Sequence, residues 1–196
     1  MTTQKDTLHQ YLRMGHETLL WKLKGLGEYD LRRPLVATGT NLLGLVKHTA
    51  ATGVGYFGDV FDRPFPESIP WLADDSEDNA DNADMFATAD ESVHDLLALD
   101  ARCWAHADAT IDALDLDSPG QVPWWPSERA SVTLHQILVH MIAELHRHTG
   151  HADIVRELID GSAGMRADNS NLPPGAWQQA HRARLEQIAR EASGRA

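Results

Sequence analysis

Residues 133–158 read TLHQILVHMIAELHRHTGHADIVREL, and their periodicity decides the fold. At roughly 100° per residue, Leu134, Ile137, Leu138, Met141, Leu145, Ala152, Val155 and Ile159 form one apolar stripe. A helix with such a stripe packs it against other helices. His148 falls near the middle of the stripe. Glu144 and His151 lie about 60° and about 80° to the same side of Met141 on the helical wheel, whereas His135 and His146 point away. A carboxylate and two imidazoles therefore face an interior. A carboxylate buried in its ionised form without a partner is very costly, so such groups are paired or bound to a metal. Glu144 and His148, at i and i+4, can share one cation. The plainer alternative is a pair of hydrogen-bonded core histidines with Glu144 held by an arginine. Two ligands on one helix do not complete a site, so at least one more must come from elsewhere.

Four further segments have helical spacing. The first covers about residues 3–26, with Leu8, Leu12, His16, Leu19 and Leu23 in register. The second covers about 40–61, with Thr40 as N-cap and Ala50, Ala51 and Gly53 allowing close approach of a neighbour. The third covers about 88–114, opened by the capping-box pattern Thr88-x-x-Glu91. The helix quoted above covers about 133–160, started by Thr133 and ended by Gly161. A fifth follows Pro173-Pro174 and covers about 174–193. No convincing alternating strand pattern is present. The fold class is all-α: a four-helix bundle with an additional C-terminal helix and long inter-helix loops, in a single domain over 1–196. One long loop, 62–86, carries the acidic run DDSEDNADNAD. This run lacks the central Gly and terminal Glu of a calcium loop and reads as a solvated segment. The other, 117–130, carries Pro123-Trp124-Trp125-Pro126. Its tryptophans either cover a pocket mouth or plug the end of the bundle.

Composition narrows the function. A net charge of −12 over 196 residues argues against binding nucleic acid or an anionic membrane surface. No apolar run reaches membrane-spanning length, and no signal peptide is visible at the polar amino terminus. The single cysteine, Cys103, excludes an intrachain disulfide and fits a cytoplasmic location. It lies in an apolar helical stretch and reads as a core thiol.

For the third ligand, His48 is the leading candidate, with His16 and His140 as competitors. Periodicity places His48 beside Leu45 and Thr52, at the edge of a buried face or outside it. The block NLLGLVKHTA around His48 resembles the second-helix motif of the DinB superfamily of four-helix metal-binding proteins. The stretch from VPWW to VHMIAELHRHTGHADIVRELIDG, together with DNSNLPPGAW, resembles an actinobacterial branch of that superfamily. This branch is related to mycothiol-dependent maleylpyruvate isomerase and the mycothiol S-transferases, and the resemblance covers nearly the whole chain. It implies three metal ligands on two helices: His48 on the second, and Glu144 and His148 four apart on the later one. Because Arg147 stands four residues before His151, the His-x-x-x-His version of the motif cannot form there. His151 is left as a reserve ligand or an outer group.

Three protein ligands leave a coordination position open, as in working rather than structural sites. Two imidazoles and a carboxylate suit zinc, with nickel or iron as alternatives. The resemblance implies a divalent-metal-dependent thiol transferase or thiol-dependent isomerase. Mycothiol or another small thiol would be the cosubstrate and a small electrophile the acceptor. Arg147 is a candidate for binding an anionic substrate, Trp124 and Trp125 for lining the pocket, and Asp153 for orienting His151. Two other functions use the same ligands: a non-catalytic metal-binding stress-response protein, and a metal-dependent hydrolase that activates water. No nucleic-acid or membrane partner is expected, and a homodimer is left open.

Overall fold

The computed structural model describes residues 2–72, 82–170, 172–173 and 175–194. Two compact units divide the chain, 1–163 and 164–196. Residues 73–81, most of the acidic run, lie outside the described residues, as does Pro174 at the expected start of the last helix.

The first unit is built on four long helices. Helix α1 (Gln4–Trp21) opens with a capping box in which Thr3 Oγ1 accepts from the Asp6 amide and Asp6 accepts from the Thr3 amide. It ends short of the expected residue 26: after Trp21 the chain tightens into turns with i→i+3 backbone bonds and leaves through Gly25 at φ +79°. A short helix, α2 (Glu28–Arg32), follows. Helix α3 (Leu42–Phe57) is capped by Asn41, not by Thr40, the Asn41 side chain accepting from the Gly44 amide at 2.8 Å. Residues 59–61 form a separate 3-10 turn instead of extending α3. Helix α4 (Val93–Ala113) starts at Ser92, later than Thr88-x-x-Glu91 suggested. Glu91 does accept from the Thr88 amide, but its carboxylate also pairs with Lys47 of α3, and Ser92 supplies the cap to Asp95. Helix α6 (Leu134–Asp160) runs from a Thr133 cap to Gly161 at φ +77°. Between α4 and α6 the four-residue α5 (Ser127–Ala130) sits in a hairpin of β1 (Pro119–Gln121) and β2 (Ser131–Thr133). They pair antiparallel with Gly120 opposite Val132. The sequence reading had no strands, and three residues are too few to show a two-residue period.

Side-chain pairs fix the helix directions. His9 meets Asp108 and His16 meets Asp100, so α1 and α4 are antiparallel. Thr149 donates to Gly15 O and Arg156 to Lys22 O, so α1 and α6 run the same way. His48 packs on His148 and Tyr56 on His140, so α3 and α6 are antiparallel. The arrangement is up, down, down, up. Because α3 and α4 point the same way, the chain must travel back along the bundle between them. That return requires the long connection 58–92. The main apolar cluster runs from Leu12 and Leu19 through Leu42, Leu45 and Phe57 to Leu138, Met141 and Val155, with a smaller one of Ala50, Val54, Ile69 and Cys103 beside it. The second unit contains α7 (Gln178–Ser193), which buries none of its side chains.

Candidate metal centre

Helix α6 carries Glu144 and His148 one turn apart on the edge of its buried stripe, and α3 faces it with His48. One donor atom from each of the three lies within 4.8 Å of the others. Glu144 Oε1 sits between the imidazoles, 2.9 Å from His148 Nε2 and 3.5 Å from His48 Nε2. The rings stand edge to face with centroids 4.6 Å apart. Their side chains are 17%, 29% and 10% exposed for His48, Glu144 and His148, so the cluster is half-shielded and still reachable.

The donor set fits a divalent ion. A tetrahedral ion with bonds of about 2.1 Å separates its donors by about 3.4 Å, close to the two separations from Glu144. His48 Nε2 is buried and has no hydrogen-bond partner among the described residues. Electrostatics favour unprotonated donors. Burial pushes the Glu144 carboxyl up, but the hydrogen bond to His148 and the neighbouring His148 and His48 outweigh it, leaving it below the ordinary value. Burial pushes His148 below the ordinary imidazole value, against the pull of Glu144.

The remaining candidates fall in several places. His151 is exposed and touches only the edge of the His148 ring, with centroids 5.3 Å apart. It lies outside the three-residue cluster. Arg147 is exposed and forms no ion pair with a described residue. Trp124 and Trp125 both donate their indole N–H to the Tyr56 hydroxyl, at 3.3 and 3.1 Å. His140 packs on Tyr56 and Trp125, completing an aromatic cluster. Tyr56 is eight residues beyond His48, or about 12 Å along α3, so this cluster stands about two helical turns from the three donors. His140 is thereby taken up. His16, the other competitor, stacks on Trp104 and binds Asp100 at 2.9 Å.

Three expectations need correction. Asp153 pairs with the buried Lys22 of α1 and does not orient His151. His146 does not point outward: it is half-buried, its ring 3.0 Å from where a Cβ on Gly15 would stand. Gly15 admits the ring because it has no side chain of its own. Asp84, the last residue of the acidic run, is half-buried against α3 instead of standing free in solvent. Its Oδ2 accepts from His48 Nδ1 at 2.6 Å. Sequence reading missed it, since nothing local separates it from the aspartates before it. An apolar cavity of about 360 Å³, lined by His16, Leu20, Leu23, Leu31, Leu97 and Asp100, includes none of the three clustered donors.

The family profile described as MST: Mycothiol-S-transferase matches residues 7–161. No curated protein and no solved structure matches the chain.

Proposed function

From the premise that the chain belongs to the mycothiol S-transferase family, within the DinB-like superfamily, we propose that it joins mycothiol to a small electrophile at a divalent metal held by His48, Glu144 and His148. The observation that carries this reading is the convergence of the three donors from two helices, with a buried His48 Nε2 among them that makes no hydrogen bond to a described residue. A bound zinc ion would supply the Lewis acidity that keeps a thiol deprotonated at neutral pH.

The chain's own groups support the rest. Glu144 and His148 are biased toward their unprotonated forms, which a cation requires. The nucleophile has to come from outside the chain. Cys103 is its only thiol, 1% exposed, and burial with the nearby Asp100 carboxylate pushes it up to about 12. Trp124, half-exposed at 51%, and Trp125 offer apolar surface for the electrophile. With a net charge of −12 the surface does not draw anionic thiols from a distance, so recognition is local. Among the described residues no helix is long and apolar enough to cross a membrane. The thiol chemistry and the single cysteine favour the cytoplasm.

The test is metal analysis joined to a conjugation assay. The parent chain should hold one divalent ion and conjugate mycothiol to a generic aromatic electrophile. His48→Ala and His148→Ala should lose both the ion and the activity. Full stoichiometry and parent affinity in both variants would overturn the ligand assignment. Ester cleavage without any thiol would replace the transferase with a hydrolase.

A further inference from the structure

Asn41, Gly44, Lys47 and His48 share one face of α3 by their three- and four-residue spacing. All four meet the segment that leads into α4. Asn41 Nδ2 donates to Met85 O at 3.2 Å. A Cβ on Gly44 would overlap that same carbonyl, so glycine is what lets the two backbones touch. Lys47 Nζ donates to Phe86 O at 3.0 Å, pairs with Glu91 at 2.8 Å, and stands 4.2 Å from the Trp71 ring centroid. The segment is thus pinned at Met85, Phe86 and Glu91, directly after Asp84, and Asp84 is delivered to His48 Nδ1.

A carboxylate only accepts hydrogen bonds, so the proton of a neutral His48 must sit on Nδ1. Nε2 is then left with its lone pair, on the side facing Glu144. The two imidazoles differ in this respect. His148 Nδ1 is buried with no partner among the described residues, and the His148 ring is placed by α6 and Glu144. His48 comes from the opposite helix and has no such neighbour on its own element. We propose that Asp84 is the positioning residue of the centre: it fixes the tautomer and ring plane of His48, and the docked 82–91 segment exists in part to hold it there. The inference rests on the metal-site reading above. Outer carboxylates that hold a ligand histidine typically contribute about 10–100-fold in metal affinity.

The experiment uses the full chain, zinc alone, and two readouts. Zinc affinity is measured by competition with a chromophoric chelator. The His48 tautomer of the metal-free protein is read from long-range proton–nitrogen NMR correlations. The parent should show His48 protonated at Nδ1. Asp84→Ala should bind zinc about 10–100-fold more weakly and shift the ring toward the other tautomer. Asp84→Asn keeps an acceptor oxygen, so it should retain the Nδ1–H tautomer and most of the affinity. Gly44→Ala, which alters no ligand, should reproduce Asp84→Ala by displacing the segment. Unchanged affinity and an unchanged tautomer in Asp84→Ala would overturn the proposal. If the parent binds no zinc, the metal reading fails by itself. The tautomer comparison, which needs no metal, then still decides whether Asp84 sets the ring.

Discussion

Cys103 sits where reactivity is suppressed. Burial and the Asp100 carboxylate oppose formation of the thiolate, and the thiol is pushed up to about 12. A thiol reagent at pH 8 should therefore leave the native protein unlabelled and react once per chain after unfolding in urea. Fast labelling of the native form would refute the burial argument. Cys103→Ser places a hydroxyl in the same apolar site and should cost about 1–3 kcal/mol of stability, with zinc binding intact, read from urea melts and metal analysis. At the same scale, single residues mark what could be read from the chain. Glu144 and His148 were legible as a pair because both lie on one helix, where a four-residue spacing is a distance. Asp84 was not, because its meaning depends on His48, thirty-six residues earlier. His16 and His140 compete with the leading candidate His48 on sequence alone, and the structure shows Asp100 and Tyr56 occupying them.

Among the elements, α6 shows how one helix end serves two purposes. An acidic residue in the last turn is disfavoured by the helix dipole, yet Asp160 stands there. Arg156 grips both its oxygens, at 3.1 and 2.7 Å, and the Ser162 amide donates to it. The other arm of Arg156 binds the Lys22 and Lys24 carbonyls at the end of α1. Chiefly through the Arg156 hydrogen bonds, the Asp160 carboxyl falls from 3.8 to about 2. The sign follows from that depression: the contribution is present above the ordinary carboxylate value and disappears as pH falls toward 2. Asp160→Asn should thus lower stability near pH 6 by about 0.5–1 kcal/mol, a surface-pair value because the side chain is a third exposed. The gap between parent and variant should narrow from pH 5 to pH 3 in urea melts. A gap that widens on acidification would contradict it.

For the whole molecule, the buried apolar cluster belongs to the first unit, and α7 buries none of its own side chains. The family match, residues 7–161, covers the same span. A chain of residues 1–163 should fold cooperatively, melt within a few degrees of the full chain, and bind zinc with the same stoichiometry. Loss of cooperativity or of the metal would show that residues 164–196 are needed. The sequence by itself determined the helical class, the approximate helix spans, the caps at Thr133 and Gly161, and the Glu144–His148 pair. Each of these is a property of a contiguous segment, set by side-chain period and local hydrogen bonding. Only the tertiary structure decided which faces meet. It set α3 antiparallel to α6 and so brought His48 to Glu144. It turned the end of an acidic run into the partner of His48, and gave Asp153 to Lys22. Those outcomes depend on contacts between segments far apart in the chain, where neither period nor spacing carries information. The physical reason is that burial and charge pairing are settled by neighbours in space.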